Sequence, residues 1–226
     1  MYTLYWERLS GAIAPQAMLE EIGADYRKVQ VDMAAGEHRG SAFREINPAM
    51  RVPALRMPDG VIIGETAAIA LVLGERHPEA GLVPAVGDAD RATFLFWLMA
   101  MATGGYPVFS RAWHPEQFTF DDAANETVSL VALKQLDEFF AIIDGAIAGK
   151  PYFLARGFSA LDIYLTMLTE WMSDKPALFA ANSKVARLCS AVAERPAYRA
   201  VMEQHAWAQF EPFPSSSLNS ALNRRI

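Results

Sequence analysis

Two groups of residues in this chain have the types and spacing to hold a small peptide. The first is Arg51-Val52-Pro53, followed one hairpin later by Glu65-Thr66. A proline inside a strand cannot donate to the ladder, so Val52-Pro53 marks a sheet edge, a bulge or a cis bond. A cis bond would turn the Val52 amide and carbonyl outward, where an extended ligand backbone could pair with them as an added strand does. Glu65 and Thr66 stand where a helix opens. Its unpaired N–H groups favour a carboxylate, and the Glu65 side chain can accept an ammonium. Together they suit the zwitterionic end of an amino acid. The second group is His38, Arg39 and Arg51, basic side chains close together in a chain whose net charge is −6. An acidic protein that binds an anionic peptide must concentrate positive charge locally, although Arg39 reads as a solvated residue. Ser10 precedes a helix, where capping is the commonest task of a serine.

The elements that must position these residues are legible from pattern. Residues 2–6 read as a strand, a helix runs through Ala17 to Ile22 and closes at Gly23, and Tyr26 to Asp32 reads as a second strand. A short helix is expected at Ser41 to Ile46. A strand over Arg51 to Arg56, a Pro58-Asp59-Gly60 turn, a strand at Val61 to Ile63 and a helix from Glu65 to about His77 complete a βαβαββα order. The fold class is thus α/β, thioredoxin-like over residues 1–78, with the first helix as the crossover of a parallel strand pair. Residues 79–87 read as a linker, and 88–226 as an all-helical bundle. There Asp88 or Asp90 is expected to cap one helix and Asp121-Asp122 to begin another. Val128, Ala132, Leu136, Phe140, Ile143 and Ile147 repeat at helical spacing, and Gly149 and Pro151 stop that run. Ser159-Ala160-Leu161-Asp162 reads as a capping box between the staple residues Phe158 and Ile163. Ser215 to Arg225 reads as a flexible tail.

Composition excludes several functions. Residues 1–80 carry 8 basic against 11 acidic side chains and residues 81–226 carry 12 against 15, so neither part offers a nucleic-acid surface. Cys189 is the single cysteine, which rules out an intrachain disulfide or a paired-cysteine redox site and fits a reducing cytoplasm. The N-terminus has no basic region followed by an apolar core, so export by a signal peptide is not expected. Ala92 to Ser110 is uncharged and nearly long enough to span a bilayer, but Gly104-Gly105-Tyr106-Pro107 should break it; a buried helix is expected, and no membrane partner.

Val52-Pro53 with Glu65-Thr66 resembles the glutathione-binding half of the glutathione transferases. Gly36-Glu37-His38-Arg39, Ala42-Phe43 and Asn47-Pro48 resemble theta-like members and their bacterial relatives. The resemblance implies a cis Val52-Pro53 bond, Val52 pairing with the cysteinyl backbone of glutathione, Glu65 and Thr66 on its γ-glutamyl end, and His38 and Arg51 on its glycyl end. It also implies a homodimer, a role in detoxification, glutathione as co-substrate and no metal. Ser159 and Asp162 resemble the buried structural cap of the family's helical domain.

The activity implied is conjugation of the glutathione thiolate to small apolar electrophiles. Lowering a thiol pKa from about 8.5 by two units takes ~2.7 kcal/mol of selective stabilisation. One hydroxyl hydrogen bond to a charged sulfur gives about 1.5–3 kcal/mol. Ser10 aligns with the activating serine, its alternative role being the helix cap, and Tyr5 is the rival activator known from some bacterial classes. Those classes carry a cysteine near the following turn, where Gly11 and Ala12 stand here. Thiol-disulfide exchange is therefore not expected as the main chemistry. Tyr106, Phe109, Arg111 and Trp113 are candidates for the electrophile pocket, with core packing as their other reading. Another glutathione-dependent reaction, such as isomerisation or dehalogenation, or a non-catalytic binding protein, are the alternatives.

Overall fold

A computed structural model describes residues 1–205. The N-terminal domain holds β1 (Tyr2–Trp6), α1 (Ile13–Ile22), β2 (Tyr26–Gln30), α2 (Ser41–Ile46), β3 (Ala54–Arg56), β4 (Ile62–Gly64) and α3 (Thr66–Arg76). Its sheet has the order β2-β1-β3-β4. β1 and β2 are parallel, with Leu4 opposite Lys28, while β3 is antiparallel to both β1 and β4, with Leu55 opposite Leu4 and Ile63. This is the expected βαβαββα thioredoxin-like order. β1 is buried along its length because both faces are covered. Tyr2, Leu4 and Trp6 point into the main core, and Tyr5 joins Val31, Phe43, Val52 and Ala54 on the other face. α1 ends at Gly23, whose φ of 69° is the left-handed conformation a helix stop needs.

A helical region follows: α4 (Arg91–Ala100), α5 (Tyr106–Trp113), α6 (Asn125–Ala146), α7 (Ala160–Thr169), α8 (Lys175–Ala181), α9 (Ser183–Ala193) and α10 (Pro196–His205). Ala132, Leu136, Phe140 and Ile143 form the buried stripe of α6, as their spacing implies. The tail expected at Ser215 to Arg225 lies outside the described residues.

Three expectations need correction. Gly104-Gly105-Tyr106-Pro107 does not break the helix: α4 runs into α5 through a π-helical turn at Met101–Gly105. Pro107 has no N–H to give and would crowd the preceding turn, and the wider π turn absorbs that misfit. Nor is this helix buried. Phe94, Leu98 and Met101 pack in the core, but Ala92, Thr93, Phe96, Met99, Thr103 and Gly104 are exposed. Arg91–Trp113 is the one described helix long and apolar enough to cross a membrane. Finally, no aspartate side chain caps α4. Asp88 accepts instead from the Asp90 amide (2.9 Å) and from Arg156 (2.7 Å).

The connection over 79–87 is anchored despite its loop-like composition. Leu82 and Val83 are buried, and the Leu82 carbonyl accepts from Ala160 N at the start of α7. Arg195, just ahead of α10, forks onto Glu21 of α1 with two bonds of 2.6 Å, a bidentate geometry that fixes angle as well as distance. One apolar cluster runs from Leu4 and Met18 through Leu98 to Leu165 and Val201, so the sheet and the bundle share a core.

The capping box is present and fully buried. Asp162 accepts from Ser159 N (2.7 Å), Ser159 Oγ (3.1 Å) and Phe153 N (2.7 Å). Burial nevertheless pushes its carboxyl up to about 6, against the pull of those donors. Asp162→Ala strands two buried amides, and each orphaned donor costs about 1–3 kcal/mol. The urea midpoint should fall by an amount equivalent to about 3 kcal/mol, with unchanged slope. The carboxyl's folded pKa lies above its unfolded one of about 4, so its contribution is complete below pH ~4 and is lost as pH rises through about 6. The penalty of the substitution should therefore shrink between pH 4 and pH 7.

Candidate functional site

The Val52-Pro53 bond is cis. Val52 is buried beside Tyr5 and Phe43, directly ahead of β3. The preceding turn is held by Asn47, buried in this structure, whose Nδ2 donates to the Arg51 carbonyl (2.7 Å) and whose Oδ1 accepts from Ala49 N (3.1 Å). A Cβ on Gly64 would lie 3.0 Å from Asn47 Nδ2, so the glycine lets this side chain bridge the Arg51 turn to the end of β4.

Among the described residues, three non-glycines have positive φ: Leu9 (50°), Met50 (53°) and Glu65 (62°). They immediately precede Ser10, Arg51 and Thr66, three of the residues nominated from sequence. Backbone of this kind costs about 1–3 kcal/mol per residue and persists where its surroundings over-determine it, commonly at functional sites. Glu65 is the N-cap of α3, and no side chain caps that helix. Its first amides are thus open to a carboxylate.

Thr66 is buried and donates from Oγ1 to the Gly11 carbonyl (3.1 Å). From the helical region, Tyr106 reaches the same glycine: a Cβ on Gly11 would stand 2.6 Å from Tyr106 Oη and 2.8 Å from Thr66 Oγ1. Burial pushes the Tyr106 phenol up to about 12, while a backbone hydrogen bond from Gly11 pulls it down, as an N–H donated to the oxygen must. Glu65 raises it further and Arg51 lowers it, so both charges are felt at this hydroxyl. Gly11, Arg51, Glu65, Thr66 and Tyr106 are thereby brought together.

Ser10 lies beside them in the turn between β1 and α1. It is not the helix N-cap, which is Ala12. Its Oγ donates to the Glu7 carbonyl (2.7 Å) and accepts from Ala12 N (3.2 Å). Rotation about Cβ–Oγ re-aims the proton without moving the oxygen. Tyr5, the rival hydroxyl, is on the sheet face under α2 and meets Arg56 at 3.5 Å.

His38 sits in a 3-10 turn over Glu37–Arg39. Its Nδ1 is buried with no partner, and burial, then Arg39 and Arg51, hold its pKa below the usual histidine value. Arg39 is exposed, as its sequence reading expects, yet its charge and that of Arg51 are felt at the His38 ring. The other pocket candidates divide. Phe109 is buried against Phe140 and Trp171; Trp113 donates from Nε1 to the Trp171 carbonyl (3.1 Å); Arg111 turns toward Gln135 of α6 (3.3 Å). Tyr106 is the one shown to reach the Gly11 turn. Sequence reading missed Asn47 as a buckle, and it missed Trp171, whose ring lies against Tyr106 at a centroid distance of 4.8 Å. No local pattern marks Trp171. No group of three or more metal-ligating side chains occurs among the described residues.

Comparison with known proteins agrees with this geometry. Residues 15–76 match the glutathione S-transferase N-terminal domain family. A solved glutathione transferase homolog from Sulfitobacter, with bound glutathione, superimposes with a TM-score of 0.83 at 26% identity, covering 90% of this chain and 98% of its own. Residues 15–76 thus carry a glutathione S-transferase N-terminal domain, in a chain that has the glutathione transferase fold. A sphingomonad glutathione S-transferase complexed with glutathione gives a TM-score of 0.77 at 27% identity, covering 91% of this chain and 100% of its own. The uncharacterized GST-like protein YncG of Escherichia coli (strain K12) is 28% identical over 184 residues, 77% of this chain and 85% of its own.

Gly11→Ala tests how tightly this site is packed. The new methyl collides with two hydroxyls, an overpacking worth about 1–3 kcal/mol. Thermal melts should show the loss, and Tyr106→Phe in the same chain should restore part of it by removing one of the colliding atoms. Strict additivity of the two substitutions would disprove the close approach.

Proposed function

We propose that this protein is a glutathione transferase in which Ser10 stabilises the thiolate of bound glutathione for attack on small apolar electrophiles. The observation that carries the reading is the convergence of the cis Val52-Pro53 bond, the strained Glu65 at the uncapped start of α3, and Ser10 in the adjoining turn. In this reading Val52 pairs with the cysteinyl backbone, Glu65 takes the ammonium, the α3 amides and Thr66 take the γ-glutamyl carboxylate, and His38 and Arg51 take the glycyl carboxylate. Two relatives of this fold above 25% identity were solved with glutathione bound, which supports glutathione as the ligand. The electrophile meets the thiolate beside Tyr106. No metal is required. The buried Cys189, its thiol pushed up to about 11 by burial, takes no part. A cytoplasmic setting accompanies this reading, supported by the chain's single cysteine.

A homodimer belongs to the same proposal. Ala92, Phe96, Met99 and Thr103 form an uncharged exposed stripe at helical spacing on α4 and the turn that follows it, with Phe96 62% exposed. A second copy covering this stripe would remove an apolar patch from water. Phe96→Glu should then convert the protein to monomers in analytical ultracentrifugation. A monomeric wild type would refute the dimer.

Two substitutions test the site. Glu65→Ala leaves the ligand ammonium without a charged acceptor, costing about 1.5–3 kcal/mol, or roughly ten- to hundred-fold in calorimetric affinity for glutathione. Ser10→Ala should leave affinity near normal at low pH, where the thiol is neutral, and raise the bound thiol pKa by about one to two units. Thiolate absorbance titrated in both proteins decides. A lower melting point with an unaltered titration would reduce Ser10 to a turn residue and make Tyr5→Phe the next titration. If glutathione binds but no aryl or alkyl electrophile turns over, the binding-protein alternative holds.

A further inference from the structure

Leu9, the residue before Ser10, has its φ at 50° with a branched side chain and no glycine's freedom. Both of its peptide polar groups are taken by side chains of the helical region. Trp171, just after α7, donates from Nε1 to the Leu9 carbonyl at 2.6 Å, and His205, at the end of α10, accepts from Leu9 N at Nδ1 over 3.1 Å. These partners are 162 and 196 residues away in sequence. On the far side of Ser10, the Gly11 carbonyl is held by Thr66, and Tyr106 Oη stands 2.6 Å from where a Gly11 Cβ would be. Ser10 therefore lies between two anchored peptides, and its hydroxyl can re-aim its proton from the Glu7 carbonyl by rotation about Cβ–Oγ.

Each clamp is itself fixed. Trp171 is locked edge-on against Tyr106 and Phe109, and its carbonyl accepts from Trp113. His205 is fully buried, stands edge-on to Trp6 at 4.9 Å, and has Nε2 3.0 Å from Gln16 Oε1. Because Nδ1 accepts, the proton must sit on Nε2 and the ring is neutral. Burial, Lys28 and Arg8 favour that state and hold its pKa down to about 4. Gln16 is also buried and continues to Gln204, so the histidine cannot turn without breaking a second bond.

We propose that Trp171 and His205 are positioning residues that grip the Leu9 peptide from the helical region and so aim the Ser10 hydroxyl at the thiol of glutathione. The inference rests on Ser10 being the thiolate donor. It assigns the helical region a part in sulfur activation, separate from lining an electrophile pocket.

The test is the pKa of the bound thiol, titrated by thiolate absorbance with glutathione itself as the probe. Trp171→Phe keeps a ring against Tyr106 and deletes the N–H together with part of the indole. His205→Leu deletes the acceptor, while His205→Asn places an amide oxygen near the position of Nδ1. Trp171→Phe and His205→Leu should each raise the thiol pKa by about one unit, with glutathione affinity at pH 5 within about twofold of wild type. His205→Asn should restore most of the wild-type titration. Should Trp171→Phe not fold by circular dichroism, the two His205 variants carry the same comparison. Wild-type titrations in folded Trp171→Phe and His205→Leu, with Ser10→Ala still shifted, would overturn the clamp and leave Ser10 in place. An unshifted Ser10→Ala would overturn both.

Discussion

The candidate site depends on backbone held where an ordinary residue does not rest. Leu9, Met50 and Glu65 each sit at positive φ, and together they represent a strain on the order of several kcal/mol. Leu9 is held from outside its own turn, whereas Met50 and Glu65 are held by neighbours in sequence. Leu9 is gripped by Trp171 and His205. Met50 N bonds the Asn47 carbonyl, and the Asn47 side chain spans to Arg51 against Gly64. Glu65 opens α3, whose next turn begins with Ile69 N on its carbonyl. Remove the shared core between sheet and bundle and the Leu9 turn loses the contacts that define it. The fold is thus more than a frame for the site, because the helical region supplies part of the backbone conformation of the N-terminal domain.

This explains what could be read from sequence and what could not. Elements set by local chemistry were legible: Gly23 stops α1, Ser159 and Asp162 start α7, the period of α6 marks its buried face, and Val52-Pro53 flags its own bond. The fold class followed from these and from the resemblance. Features set by packing were hidden. The π turn at Met101–Gly105 follows from how Pro107 is accommodated in a continuing helix, and glycine and proline letters alone suggest a break. Anchoring of Leu82 in the core contradicts its loop-like neighbours. Trp171 and His205 gave no signal, since a tryptophan after a helix and a histidine at a helix end are ordinary until the fold brings Leu9 between them.

Electrostatics shows the same division of local and long-range causes. The protein is acidic overall, yet the His38 pKa is depressed by burial and then by the nearby Arg39 and Arg51. Two positive charges thus flank a histidine that they keep neutral, and the unpartnered Nδ1 of His38 adds a polar group with nothing of the protein to meet it. At the other end Glu65 stands alone beside the open amides of α3. A ligand with carboxylates at both ends and an ammonium at one matches this arrangement.

Gly11 decides which sulfur can react. The space where its Cβ would stand is already occupied by the hydroxyls of Tyr106 and Thr66. A cysteine there would have to displace both, and with them the bonds that hold the Gly11 peptide. The chain's own thiol, on Cys189, is buried 2% exposed among Thr166 and Thr169, and its raised pKa keeps it protonated near neutrality. A protein thiolate is therefore available neither at the turn nor elsewhere, and a mixed disulfide between protein and ligand has no partner on this side. In the proposed reaction the sulfur chemistry resides on the bound peptide, and a hydroxyl activates it. Since a neutral hydroxyl changes a thiol's pKa only through the geometry of one hydrogen bond, its alignment matters more than its acidity. Rigid fixation of the two peptides flanking Ser10 is what such a mechanism requires.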